Sequence, residues 1–126
     1  MNAVRWIAGK ITPLKNCAFE GFGKMIDALD NLGYTNGVNY QTVPYDFRFS
    51  VKKSGASNII LKAIEELYKN TGKKVILVGH SLGNLHILKT LSNMFLGAKR
   101  EKVLEFISIG APYLGSSKAV KDVIAW

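Results

Sequence analysis

The sequence has one cysteine, two histidines and no long hydrophobic run. Cys17 therefore has no disulfide partner within the chain and too few companions for a zinc cluster. No apolar segment approaches the roughly 20 residues of a membrane-spanning helix. The start of the chain shows no sustained hydrophobic segment of the kind found in a cleaved signal peptide. These absences argue against a disulfide-stapled module and predict no spanning helix, and they leave the cellular compartment undetermined.

Acidic residues are also scarce. The chain has 17 lysines and arginines against 9 aspartates and glutamates, a net charge of +8 over 126 residues. Such a charge is compatible with an anionic membrane surface or with nucleic acid. The lysines are scattered rather than arranged in a stripe, so we interpret them as a solvated basic surface and expect no nucleic-acid partner. The length predicts a single domain, residues 1–126.

Hydrophobic spacing predicts helices that alternate with strands. The predicted helices cover about residues 22–32, 54–71, 82–95 and a last segment from 117, and the predicted strands cover about residues 38–44, 74–79 and 103–112. Residues 97–102, GAKREK, are predicted to be a polar loop. Such an alternation predicts an α/β fold with a mostly parallel sheet, whose ligands bind at the carboxyl ends of the strands.

Two of these helices carry a recognisable apolar stripe. In the helix that Ser54 or Ser57 is predicted to cap and Gly72 to end, the stripe is Ile60, Ala63, Ile64 and Leu67. In the helix after residue 82, the predicted buried side is Leu85, Leu88, Leu91 and Met94 or Phe95. The strand between them is a continuous apolar run, which predicts burial on both faces.

The segment VILVGHSLGN, residues 75–84, places a G-x-S-x-G motif between that strand and the following helix. This is the context of a nucleophile elbow, a sharp turn that holds the serine hydroxyl out of the sheet. Ser81 is the predicted nucleophile, and Gly79 and Gly83 are predicted to relieve the crowding around it. The backbone N–H of Leu82 is the predicted oxyanion donor, aided by the helix dipole.

The two histidines are poor candidates for the general base. His80 is next to Ser81, and His86 lies more than one turn into the helix, whereas in this fold the base comes from a late loop. We predict that both are packing or hydrogen-bonding residues. The carboxylates after Ser81 are Glu101, Glu105 and Asp122, and no histidine follows any of them.

Asp46 and Arg48 form a second polar cluster, just after a predicted strand. They are predicted to be a structural ion pair that fixes the loop near the active edge of the sheet, rather than direct catalytic residues.

Three ordered motifs together resemble the lecithin:cholesterol acyltransferase family, which includes enzymes of the lysosomal phospholipase A2 and phospholipid:diacylglycerol acyltransferase types. The motifs are P-Y-D-F-R at residues 44–48, H-S-L-G-N at residues 80–84 and S-I-G-A-P-Y-L-G at residues 108–115. The resemblance covers about residues 22–125.

The resemblance implies a partial α/β-hydrolase fold, a three-layer αβα sandwich, in an enzyme acting on lipid esters. Ser81 would attack a phospholipid or other lipid ester, and the acyl group would pass to an alcohol or to water. No metal and no organic cofactor is expected, whereas contact with a membrane surface is. The family's acid and histidine have no counterpart here and would lie beyond residue 126. GFG, at residues 21–23, is not accepted as the second oxyanion loop because it opens a helix.

The chain therefore resembles the middle of an acyltransferase. Three predicted strands are fewer than the sheet of about eight that this fold uses, and an open edge would expose apolar faces. Two readings stand: an acyltransferase or phospholipase segment that lacks its base, so that the chain alone is inactive, or a non-catalytic remnant or partner-binding fragment that keeps the elbow for structural reasons.

Overall fold

The computed structural model describes residues 20–124. They form, in chain order, α1 (Glu20–Asn31), α2 (Ala56–Thr71), β1 (Val75–His80), α3 (Gly83–Asn93), α4 (Leu96–Lys102), β2 (Val103–Ile109) and α5 (Ser117–Ile124). α1 begins at the GFG segment, as predicted. Cys17 lies outside the described residues.

The α/β fold class is confirmed by a parallel pairing of β1 with β2. Leu77 of β1 packs in a buried core with Ile60 and Ile64 of α2 and Ile87 of α3. The chain connects the two strands through α3 and α4. Because β1 and β2 run parallel, their carboxyl ends lie at the same edge of the sheet. That edge contains Ser81, immediately after β1.

One face of this sheet is covered and the other is open in the part of the chain that the structure describes. Leu77 is buried under α2 and α3, whereas Ile76 and Val78 on the opposite face are 48% and 38% exposed. Ile107 and Ile109 of β2 are also exposed. The prediction that β1 is buried on both faces is therefore wrong for residues 20–124. The described part of the chain forms two layers of the predicted sandwich, the sheet and the helices on one face.

α2 follows the prediction closely. Ile60, Ala63, Ile64 and Leu67 are all buried. The helix ends at Gly72, which has a φ of 65° and donates its N–H to the Tyr68 carbonyl at 2.8 Å. This left-handed conformation is one that glycine adopts without steric cost.

The start of α2 differs in detail from the prediction. Gly55 occupies the N-cap position, while the Ser54 hydroxyl accepts a hydrogen bond from the Ala56 N–H at 3.3 Å. The Ser57 hydroxyl is buried and has no hydrogen-bond partner among the described residues. Ser54 therefore contributes to the cap from one position earlier than expected, and Ser57 does not.

The strand predicted over residues 38–44 is not formed. The carbonyl of Thr35 instead accepts the N–H groups of Val38 and Asn39, each at 3.1 Å, and the Asn39 side chain accepts the Thr35 N–H. This turn uses backbone groups that a strand would offer to a neighbour. A strand also needs a hydrogen-bonding neighbour, and in residues 20–124 the strand ladder joins β1 and β2 alone.

Residues 97–102, predicted as a polar loop, belong to α4. Apart from Gly97, this segment consists of alanine, lysine, arginine and glutamate, which are strong helix formers. Its last turn carries Lys99, Arg100 and Lys102, where positive charge favours the helix dipole. Lys102 also pairs with Glu65, which connects α4 to α2.

The buried face of α3 is rotated from the predicted one. Its buried residues are Asn84, His86, Ile87 and Thr90, with Leu91 and Met94 packed against the core. Leu88 and Phe95 are exposed. The spacing of apolar residues predicted the wrong face because three of the buried side chains are polar and make hydrogen bonds.

Within the described residues, none of the helices has the length and apolar character needed to cross a membrane.

Candidate active site

Ser81 lies on a strained turn between β1 and α3. Its φ is +50°, and among the described residues it is the non-glycine residue with a positive φ. The Ser81 N–H donates to the Ile109 carbonyl at 3.0 Å, and the Ser81 carbonyl accepts the Asn84 N–H at 3.2 Å. The serine is exposed. A strained, exposed serine between strand and helix is the geometry that the G-x-S-x-G motif predicts.

Leu82 begins the turn into α3. It has helical φ and ψ values of −58° and −27°, and its carbonyl accepts the Leu85 N–H at 3.0 Å. In the part of the chain described, no backbone carbonyl accepts the Leu82 N–H. The group lies at the positive end of the helix dipole, one residue after Ser81, where a negatively charged oxygen is favoured.

The two glycines of the motif have different structural roles. A Cβ added to Gly79 would lie 2.6 Å from the Asn84 side-chain oxygen and 3.1 Å from its Cα. A Cβ added to Gly83 would meet only Tyr45, at 3.7 Å, an ordinary contact. The strand and helix therefore approach closely at Gly79, and the prediction that Gly83 also relieves crowding is wrong for the described residues.

Asn84 lies at the candidate site, although the sequence pattern predicted no role for it. It is fully buried, and its side-chain amide donates to the Ser81 carbonyl at 2.9 Å and to the Ile109 carbonyl at 3.0 Å. The available signal was its position three residues after Ser81, on the helix side that faces the strands. Hydrophobic spacing does not indicate that a polar residue such as Asn84 is buried.

The two histidines are placed differently, His80 at an exposed position and His86 in the core. Gly79 faces α3, so strand alternation turns the side chain of His80 to the opposite face of the sheet. His86 is fully buried, with its Nδ1 3.3 Å from the Ser54 hydroxyl and its ring 4.2 Å from that of Tyr45. Burial lowers the pKa of His86 below its usual value. The prediction that His86 packs and makes a hydrogen bond is confirmed.

The predicted contact between Asp46 and Arg48 is formed. Arg48 donates from its side chain at 2.6–3.1 Å and from its backbone N–H at 3.0 Å. This guanidinium lowers the pKa of Asp46 to about 2. Tyr45, in the same P-Y-D-F-R segment, lies against His86 and so holds the segment beside the first turns of α3.

The loop after β2 folds back on the same edge of the sheet. Tyr113 and Ser108 share a hydrogen bond between their hydroxyl groups at 2.6 Å. Ser108 is the register partner of Gly79. The structure therefore brings all three sequence motifs to the strand ends around Ser81.

Comparison with known proteins identifies the family of the chain. Residues 1–125 match the family model described as lecithin:cholesterol acyltransferase. The chain belongs to this family. The match begins earlier than residue 22, where the sequence motifs first indicated the resemblance.

Two kinds of family member are similar to the chain. It is 33% identical to human (Homo sapiens) lysosomal phospholipase A and acyltransferase over 112 residues, which are 88% of the chain and 27% of the relative. It is 37% identical to mouse (Mus musculus) phosphatidylcholine-sterol acyltransferase over 98 residues, which are 77% of the chain and 22% of that relative. The chain thus spans about a quarter of the length of the relatives it matches.

Proposed function

We propose that this chain carries the nucleophile of a lipid acyltransferase or phospholipase, and that Ser81 is that nucleophile. The observation that carries the proposal is the strained, exposed Ser81 at the carboxyl end of β1. Beside it lies the N–H of Leu82, which no backbone carbonyl in residues 20–124 accepts. The similarity to enzymes named as phospholipid-using acyltransferases supports a phospholipid or related lipid ester as the substrate.

The reaction proceeds in two steps. The Ser81 hydroxyl oxygen bonds to the acyl carbonyl carbon while a base takes its proton, and the Leu82 N–H donates to the oxygen that becomes negative. The bond from that carbon to the alcohol oxygen of the lipid breaks, and the departing alcohol takes a proton. An acceptor hydroxyl or water then attacks the acyl-serine, which releases the acyl group as an ester or a free acid and returns the proton to Ser81.

Neither histidine of the chain suits the role of the base. Gly79 faces α3, so strand alternation directs the side chain of His80 to the other face of the sheet. His86 is buried against Tyr45 and Ser54. A serine hydroxyl is a weak nucleophile until a base removes its proton. We therefore assign the base to a segment outside this chain, and expect the isolated chain to be inactive.

A chimera tests this function. The 112 matched residues of the human relative are replaced by this chain, so that the remaining three quarters of the relative supply the other parts of the fold. Folding is checked by circular dichroism, and release of a labelled acyl group from phospholipid vesicles is followed. We expect release from the chimera, its loss in Ser81→Ala, and little change in Ser92→Ala, which alters an exposed serine on α3.

The chain alone provides the negative arm of this experiment. Its rate should be lower by on the order of 10⁴–10⁶, the usual cost of losing a triad member. A folded chimera without Ser81-dependent release would contradict the proposal and favour a non-catalytic fragment. Rapid Ser81-dependent release by the chain alone would show instead that His86 or a second copy supplies the base.

A further inference from the structure

Asn84 joins the elbow to the neighbouring strand. Its side-chain nitrogen donates to two carbonyls, that of Ser81 at 2.9 Å and that of Ile109 at 3.0 Å. Ile109 is the last residue of β2 and Ser81 follows the last residue of β1. A single buried side chain therefore bridges the carboxyl ends of both described strands.

The same two residues are also connected directly. The Ser81 N–H donates to the Ile109 carbonyl at 3.0 Å, so this carbonyl accepts from Ser81 and from the Asn84 side chain. The N–H of Ser81 is thus fixed to β2 directly, and its carbonyl is fixed to β2 through Asn84. A residue held at a φ of +50° needs such surroundings, because this conformation is unfavourable for most residues other than glycine.

The chemistry of the bridge suits a side-chain amide. Both partners are carbonyl oxygens, which only accept, so the bridging group has to donate twice, and the neutral NH₂ of Asn84 offers both N–H donors from one nitrogen. An aspartate of the same shape would place acceptors against acceptors. Gly79 completes the arrangement, because a Cβ there would lie 2.6 Å from the Asn84 oxygen and displace the side chain.

We propose that Asn84 is a positioning residue, which holds Ser81 and the Leu82 N–H in the orientation that attack on an ester requires. The proposal rests on the nucleophilic role of Ser81 proposed above. Asn84 does not touch the substrate. It acts through the Ser81 backbone, so its loss should loosen the elbow while the core between α2 and β1 stays ordered.

Hydrogen exchange of the ¹⁵N-labelled chain tests the bridge without any substrate, so the result does not depend on acyl transfer. The protection factor of the Ser81 amide is compared with those of Ile64 and Leu67 in the core of α2. In Asn84→Asp at neutral pH, we expect Ser81 protection to fall about tenfold or more, an effect equivalent to roughly 1.4 kcal/mol, while α2 changes little. Asn58→Asp, the same substitution at an exposed position of α2, should leave Ser81 unchanged.

Lowering the pH gives a second readout. Protonation gives the introduced carboxyl one O–H donor, so Ser81 protection in Asn84→Asp should partly recover relative to the unsubstituted chain at the same pH. Asn84→Ala has no such group and should not recover. Asn84→Ala also buries no charge. It therefore tests the positioning role of Asn84 if Asn84→Asp does not fold. Unchanged Ser81 protection in both variants, or an equal loss at Ser81 and throughout α2, would overturn the proposal.

Discussion

Arg48 contacts Asp46 through two side-chain nitrogens and through its own backbone N–H, yet both residues remain open to water. The Arg48 side chain is 76% exposed and that of Asp46 is 31% exposed. Water screens the attraction between exposed charges, so such pairs contribute little to global stability. The contact fixes the local shape of the P-Y-D-F-R segment, while Tyr45 holds the segment against α3.

We therefore expect Asp46→Ala to leave the free energy of unfolding at neutral pH almost unchanged. Arg48 lowers the folded-state pKa of Asp46 to about 2, below an unfolded value of about 3.9. The small stabilisation is thus complete above about pH 4 and is lost as the pH falls towards about 2. Urea unfolding of both proteins between pH 7 and pH 2 measures this difference. A loss at pH 7 as large as that caused by truncating a core residue would show that the pair is buried and structural.

The two glycines of the elbow offer a matched pair of substitutions. Gly79→Ala should destabilise the chain by roughly 1–3 kcal/mol, since the added methyl meets Asn84 and the helix backbone. Gly83→Ala adds the same atom where there is room, and should leave stability unchanged or raise it by up to about 1 kcal/mol. Equilibrium denaturation compares them. Equal losses in the two variants would mean that the elbow is crowded on both sides.

The two predictions from sequence that held best are local ones. The stripe of α2 is defined by spacing within a single helix, and the elbow at Ser81 by a motif between adjacent elements. These patterns depend on neighbours in the chain, so the sequence displays them directly.

The predictions that failed depend on distant partners. A strand over residues 38–44 requires a neighbouring strand, and its alternation of residue types carries no information about one. The buried face of α3 includes Asn84, whose amide is satisfied by Ile109, 25 residues further along the chain. From sequence, a polar residue of this kind is predicted to be exposed, because its hydrogen-bond partners are not known.

Burial of His86 should make the stability of the chain depend on pH. Its folded-state pKa is lowered by burial, while the unfolded value is about 6.5, so below that pH the unfolded chain binds the extra proton. Stability should therefore fall as the pH drops from about 7 to 5, by at most about 1.4 kcal/mol per pH unit. His86→Phe, which keeps a ring against Tyr45, should flatten this dependence. A dependence that is unchanged in His86→Phe would contradict its assignment to His86.

A basic surface should contribute to membrane association. This chain has a net charge of +8, so the chimera that contains it should sediment more with anionic than with neutral phospholipid vesicles at low salt. High salt should reduce the difference, because exposed charges are screened within about 8 Å already at physiological ionic strength. The unaltered human relative is the reference. Equal binding to anionic and neutral vesicles, at low and at high salt, would show that charge does not contribute to membrane association.

The acyl-serine intermediate is the most direct test of the role of Ser81. The folded chimera is mixed with an acyl-labelled phospholipid, quenched in acid within one turnover, digested and analysed by tandem mass spectrometry. We predict an acyl group on the Ser81 side chain, absent from Ser81→Ala and retained in Ser92→Ala. Active chimera with the acyl group on another residue, or with no covalent acyl group at any time during turnover, would contradict Ser81 as the nucleophile.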